Sequence, residues 1–296
     1  MNEILIVDKP YGLTSSYVVN KLKRYFGASK AGHSGTLDPL ATGVLVVYFD
    51  DMTKVIPIIE EEIKTYQVKI LLGIETDTLD ISGEILNISR IKDYSSTDFP
   101  KIISSFIGEY SYAPPSFSAI KVKGVPSYKH ARRGTSINLP IRKSLINDIE
   151  ITGSGMSTIS LKVQCSKGTY VRALARDIGE ALGSKGTVSS LRRLGTGKFN
   201  IRDSNQFYSL LNGSSPVFFS LERLFPLVSI DNSAFNLLSK EVNYKDVDLR
   251  IYANELTDKL FVIMVNIDGP AVIVKNKFDK KGQYICSEVK FFSKKK

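Results

Sequence analysis

Residues 4–7 form a short apolar run that Asp8, Lys9 and Pro10 stop, the pattern of a strand entering a loop. Thr14, Ser15 and Ser16 offer N-cap hydroxyls for a helix over about residues 17–26, which Gly27 closes. Val18, Val19, Leu22 and Phe26 give that helix one apolar face, with Lys21, Lys23 and Arg24 outside it. The glycine-rich stretch 31–43 is predicted to be a loop feeding a strand over 44–49. Tyr66, Val68, Ile70 and Leu72 alternate with Thr65, Gln67 and Lys69, as in a half-buried strand. Residues 73–82, rich in Asp and Thr, read as a loop, and about 98–107 as a helix before Pro114 and Pro115. A second alternating strand carries Ile159, Leu161, Val163 and Cys165. A turn at 166–168 follows, and Thr169 is placed to cap a helix to about Leu182. Residues 189–194 are a further short element before the turn 195–197. From about Leu227 the texture changes to short strands, such as 260–265 and 271–274, between polar turns.

The least regular stretch is 116–143. It carries Lys121, Lys123, Lys129, Arg132, Arg133, Arg142 and Lys143, with Phe117 and Tyr128 among them. Phosphates attract cations and unstacked bases want flat partners, so this excursion is expected to touch a nucleic acid; a solvated loop is the alternative. Lys and Arg number 40 against 30 Asp and Glu, a net +10 that also favours an anionic partner, although an AT-rich genome alone can raise the lysine count. The chain has 296 residues, 43% hydrophobic, enough for one large domain and a small one. Cys165 and Cys286 are far apart and suit a reducing compartment. With His33 and His130 the only histidines and no clustered-ligand motif, no metal site is expected. The first residues lack the layout of a signal peptide, and no run reaches the ~18 apolar residues of a membrane span. A cytoplasmic protein with no membrane partner is expected.

The segment with most chemical character is 32–45, Gly-His-Ser-Gly-Thr-Leu-Asp-Pro-Leu-Ala-Thr-Gly-Val-Leu. Three glycines permit tight turns and close backbone approach. Pro39 restricts Asp38 to an extended conformation, so its carboxylate is rigidly aimed. By residue type alone an Asp-Pro pair is a turn device more often than a catalytic one.

Six segments in order carry a resemblance. They are Asp8-Lys-Pro-Tyr-Gly-Leu-Thr-Ser15, Gly35-Thr-Leu-Asp-Pro-Leu-Ala-Thr-Gly43, Lys64-Thr-Tyr66, Pro115-Ser-Phe-Ser-Ala-Ile-Lys121, Cys165-Ser-Lys-Gly-Thr-Tyr-Val-Arg172 and Leu191-Arg-Arg-Leu194. Together they resemble the signature of the TruB-type tRNA pseudouridine synthase family, strongly over about residues 1–200 and weakly beyond. The resemblance implies a mixed α/β (α+β) pseudouridine synthase fold around a mainly antiparallel central sheet. A catalytic domain would span 1–227, with a thumb loop at about 115–143 inserted in it, and a small β-rich, PUA-like RNA-binding domain would span 228–296.

It also implies roles. Asp38 aligns with the nucleophile, which can attack the ribose C1′ or the base C6, or stabilise an oxocarbenium ion. Arg172 aligns with an arginine that aims this carboxylate through charge-assisted hydrogen bonds. Tyr66 aligns with a tyrosine whose ring stacks on the uracil and whose hydroxyl assists proton transfer. Tyr170 and Leu191 align with residues of the uracil pocket, and His33 with a histidine that fills the space left by a flipped nucleotide. Lys9 and Pro10 shape the floor. Lys121, Lys123, Lys129, Arg132 and Arg133 of the thumb are the RNA-binding candidates. The implied reaction converts uridine 55 in the T-loop of tRNA to pseudouridine, with no metal or organic cofactor because the isomerisation is redox-neutral, and with no guide RNA expected because the N-terminus is short and long basic tails are lacking. The partner would be tRNA, held at the T-arm and elbow, with the C-terminal domain on the acceptor end and the enzyme a monomer. Alternatives are a guide-RNA-dependent synthase and a non-catalytic RNA chaperone of the same fold.

Overall fold

The computed structural model of the protein describes residues 1–57, 59, 63–91, 99–122, 124–135 and 137–224, and the backbone of four strands beyond them. In chain order these residues form β1 (Ile4–Lys9), α1 (Ser15–Tyr25), β2 (Ala31–Ser34), β3 (Thr42–Phe49) and β4 (Ile63–Leu72). β5 (Ile74–Thr76), β6 (Ile85–Ile88), α2 (Phe99–Ser104) and β7 (Gly108–Tyr112) follow. Then come β8 (Lys121–Val122), β9 (Val125–Pro126), α3 (Ser127–Ala131), β10 (Arg142–Ser154) and β11 (Thr158–Ser166). The body closes with α4 (Val171–Ala181), β12 (Gly186–Thr196), β13 (Phe199–Asn200), β14 (Asn205–Gln206) and α5 (Phe207–Leu211).

A ten-stranded sheet organises this body in the order β14-β1-β3-β12-β4-β11-β10-β7, with β2 on β3 and β13 on β12. Its pairings are antiparallel except β1 with β14 and β3 with β12. The apolar runs of β1 and β3 do not alternate because this end of the sheet is covered on both faces. Leu5, Val7, Leu45, Val47 and Phe49 belong to the main core, while Ile4, Ile6, Val44, Val46 and Tyr48 belong to a second cluster on the other side. β4 and β11 do alternate. Tyr66, Val68, Ile70 and Leu72 pack with Ile159, Leu161, Val163 and Cys165 in the core that α4 covers (Leu174, Ala175, Ile178), and the same core continues to α1 (Val18, Val19, Leu22), which packs on β2 and β3.

Several local expectations change. α1 starts two residues early, and Thr14 caps it by accepting from the Tyr17 N–H at 3.1 Å. Residues 31–34, expected in a loop, pair with β3 as β2. Residues 189–194, expected as a short element, lie inside the eleven-residue β12 at the centre of the sheet. Thr169 does not cap α4: its hydroxyl donates to Ser166 O at 2.8 Å and closes the preceding turn, which leaves Tyr170 at the N-cap. The helix expected over 98–107 is limited to the six residues of α2. Among its described residues, the irregular stretch 116–143 contains the β8–β9 pair, the one-turn α3 and the start of β10.

Beyond residue 224, β15 (Leu227–Ile230), β16 (Phe261–Asn266), β17 (Ala271–Phe278) and β18 (Tyr284–Phe292) form a separate four-stranded sheet in that order. Its first pair is parallel and the others antiparallel. Cys286 falls in β18, outside the residues whose side chains are described. No helix among the described residues is long and apolar enough to cross a membrane.

Candidate active site

The turn between β2 and β3 carries Asp38, and the N-terminal segment clamps it. The Lys9 ammonium, fully buried, donates to Pro10 O (2.9 Å), Leu13 O (2.6 Å) and Pro39 O (3.3 Å). Gly12 N–H donates to Pro39 O at 2.8 Å. The Ser15 hydroxyl donates to Leu37 O at 2.9 Å and accepts from Leu37 N–H at 2.8 Å. The residues flanking Asp38 are therefore fixed from one side, and Ala41 N–H closes the turn on Asp38 O at 3.1 Å. Burial lowers the Lys9 pKa to about 8, with the nearby Asp38 charge opposing that shift and Arg193 adding to it. On the other side of the turn, Gly43 has φ +100° and lies against β12, where a Cβ would come within 2.2 Å of Arg193 O.

Arg172, in the first turn of α4 and 4% exposed, faces this carboxylate: its Nε lies 2.9 Å from Asp38 Oδ2. The N–H is not aligned on the oxygen, so the contact is an ion pair without a directed hydrogen bond. The rest of the guanidinium is fixed by carbonyls. Nη1 donates to Thr78 O at 2.6 Å and Nη2 to Phe117 O at 2.9 Å. Asp80 Oδ2 stands 4.0 Å from the same Nε. Asp80 is itself buried and held through Oδ1, which accepts from the Thr78 hydroxyl (2.9 Å), the Ser82 N–H (3.0 Å) and the Ser82 hydroxyl. Asp38, by contrast, keeps a side chain about one-third exposed (37%) and open to a ligand.

Asp38 and Arg172 line a cavity of about 570 Å³ with Tyr66, Tyr170, Leu191, Lys64, Arg193, Asp80, Phe117, Ser118, Tyr128 and Arg132, among others. That volume lies within the range of ligand pockets, ~300–1,000 Å³. Thr14, Ser15 and Ser16 at the start of α1 also line it, as do Tyr170, Val171 and Arg172 at the start of α4. Two helix N-termini thus point their positive ends at one space, which favours an anionic occupant. Tyr66 and Leu191 come from the paired strands β4 and β12, Leu191 opposite Val68. Burial raises the phenol pKa of both Tyr66 and Tyr170, so both hydroxyls stay protonated at neutral pH. The Cys165 thiol, buried below, is pushed up to about 11 by desolvation and is unreactive there.

Of the expected site residues, Asp38, Tyr66, Arg172, Tyr170 and Leu191 converge on this cavity. His33 sits on β2 opposite Val47 and does not line it. Arg132 lines the cavity, and Lys121, Lys129 and Arg133 are exposed nearby in the chain; Lys123 lies outside the described residues. Sequence reading missed Asp80 and Arg193. The Asp-Thr-rich segment 73–82 was expected only as a loop. Its Thr78-x-Asp80-x-Ser82 spacing, with side-chain oxygens two residues apart, was the available signal. Arg192 and Arg193 alternate across β12. Arg192 forms a bidentate pair with Asp8 (2.9 and 2.6 Å) while Arg193 points to the cavity.

Comparisons with known proteins place the chain in a family. The family described as TruB family pseudouridylate synthase (N-terminal domain) matches residues 23–171, and the tRNA pseudouridylate synthase B C-terminal domain matches residues 172–212. A relative from Syntrophotalea carbinolica, named tRNA pseudouridine synthase B, is 42% identical over 69% of this chain and 67% of its own. Another of that name, from Francisella philomiragia, is 35% identical over 95% of this chain and 96% of its own. Among solved structures, a chain of a Cbf5-Nop10-Gar1 complex superposes with a TM-score of 0.66 at 21% identity, covering 99% of this chain and 84% of that one, a likeness of fold. With a matching profile over half its length and a relative aligned nearly end to end, the chain belongs to the TruB family of pseudouridylate synthases.

Proposed function

We propose that the protein converts uridine 55 in the T-loop of tRNA to pseudouridine, with Asp38 as the nucleophile. One observation carries this reading: a partly open carboxylate faces a buried, carbonyl-anchored arginine at 2.9 Å, inside a cavity walled by tyrosines and a leucine. The target base must leave the stacked loop, at a cost of a few kcal/mol, and the aromatic and apolar walls offset that cost. Asp38 attacks at C1′ or C6 and the C1′–N1 bond breaks with its electron pair left on the uracil; the base turns, C5 bonds to C1′, the bond to Asp38 breaks to free the carboxylate, and the C5 proton passes, in net, to N1. Tyr66 and Leu191 hold the base, and the neutral Tyr66 phenol serves the proton transfers. Arg172 keeps Asp38 aimed, and Tyr170 provides a further polar contact.

Thumb residues Lys121, Lys123, Lys129, Arg132 and Arg133 bind the T-arm backbone in this reading, and His33 fills the gap left by the flipped nucleotide. A catalytic unit over 1–227 and a PUA-like unit over 228–296 divide the labour, the second holding the acceptor end. The test is purified protein with an unmodified tRNA transcript and no guide RNA, followed by mapping of pseudouridine. Modification confined to position 55 is the expected outcome. Modification elsewhere, or only after a guide RNA is added, would sink it.

A further inference from the structure

We infer that Arg193 is a positioning residue for the reaction: it fixes the direction of the Tyr66 hydroxyl inside the cavity. The inference rests on the proposed role of Tyr66. In the β4–β12 ladder Arg193 lies directly opposite Tyr66, so the two side chains leave the sheet on the same face, and both line the cavity. Arg193 is 1% exposed, and among the described residues no carboxylate lies within ion-pair distance of it. A buried cation without a counter-ion is costly unless each N–H is used. Nε donates to Val44 O at 2.7 Å and Nη2 to Gly35 O at 2.9 Å. The guanidinium is thereby placed on the same face as the Tyr66 phenol, and its charge acts on that phenol.

Room for this arrangement comes from Gly35. Its φ is +72°, and a Cβ there would stand 3.1 Å from Arg193 Nη1 and 3.3 Å from Lys64 Nζ. Arg193 is thus anchored at two carbonyls beside the phenol. A guanidinium only donates, so toward it the phenol oxygen can only accept, and the phenol proton must point elsewhere, into the cavity. Arg193 also favours the phenolate while burial favours the phenol, and burial is the larger effect. The result is a neutral hydroxyl of fixed direction, with a cation behind its oxygen to accommodate charge that develops when its proton moves.

The experiment is a double-mutant cycle in single-turnover assays on tRNA transcript, with Arg193→Gln made in the native and Tyr66→Phe backgrounds. In the native background the substitution should lower the rate at saturation about tenfold or more, with half-saturation changed less than about twofold. In the Tyr66→Phe background the same substitution should cost less than about twofold, because the hydroxyl it acts through is gone. Equal losses in both backgrounds would overturn the inference and leave Arg193 a structural brace for Gly35 and Val44. If Tyr66→Phe alone leaves the rate intact, the role proposed for Tyr66 itself falls, a separate failure.

Should Arg193→Gln not fold, Arg193→Lys takes its place in the same cycle, since it keeps the charge and loses the planar fork. A loss in the native background that shrinks in the Tyr66→Phe background is expected. Equal losses in both backgrounds would overturn the inference.

Discussion

Replacing Arg172 by lysine separates the charge of this residue from its shape. The guanidinium has three tasks: it faces Asp38 through Nε, and it holds Thr78 O and Phe117 O through its two Nη atoms. A lysine ammonium keeps the charge but is a point on a flexible stem and cannot meet three partners set around a planar fork. At least one buried carbonyl loses its donor. Hydrogen bonds from charged donors contribute about 1.5–3 kcal/mol each, so the loss of one to two of them should lower stability by about 2–4 kcal/mol. A domain of this kind has on the order of 5–15 kcal/mol in all, so the variant should still fold. The effect on chemistry is larger in proportion. Thr78 precedes the segment that holds Asp80, and Phe117 begins the thumb, so a slack residue 172 loosens the carboxylate, its buried neighbour and one wall of the cavity together. Misplacement on the order of 1 Å costs about 100-fold in rate. Urea unfolding and single-turnover pseudouridine formation on tRNA transcript measure the two losses separately. Turnover within threefold of the native enzyme would refute the argument, since charge alone would then suffice.

Asp38→Asn should abolish pseudouridine formation while tRNA affinity stays within a few fold; measurable turnover by a freshly prepared variant would remove Asp38 from the nucleophile's role. Gly43→Ala should destabilise by about 3 kcal/mol or more, since it adds a strained positive φ to a Cβ 2.2 Å from Arg193 O; an unchanged urea midpoint would show that β3 and β12 separate easily. Lys9 should make stability depend on pH. Its folded-state pKa, about 8, lies below the unfolded 10.5, so the unfolded chain binds its proton more tightly between those values. The stability of the native protein relative to Lys9→Met should therefore rise by about 1.4 kcal/mol per pH unit from about pH 8 to 10.5, and a flat difference would contradict the burial argument. Affinity for tRNA should fall steeply with salt as lysine and arginine contacts release counterions, and a weak dependence would count against the exposed thumb cations as the contact.

The sequence by itself determined the elements whose burial follows a simple period. The alternation in β4 and β11 was legible because one face of each meets the core. The capped, amphipathic α1 was legible because Thr14 and the Val18, Val19, Leu22 face are local signals. The motifs around Asp38, Tyr66, Arg172, Tyr170 and Leu191 marked the residues that share the cavity. Only the tertiary structure decided what lies between distant segments. β12 was hidden because Arg192 and Arg193 interrupt its apolar pattern, one answered by Asp8 and the other by the carbonyls of Val44 and Gly35. Asp80 read as a loop residue because its partner Arg172 lies 92 positions away and comes to 4.0 Å only when α4 packs against the sheet. Lys9, charged in a strand that otherwise reads as core, gave no local reason for its burial. That reason is the carbonyl of Pro39, thirty residues on, which its ammonium holds in the turn that carries Asp38. Short-range periodicity is written in neighbouring residues, whereas a buried charge is explained only by the partner that folding brings to it.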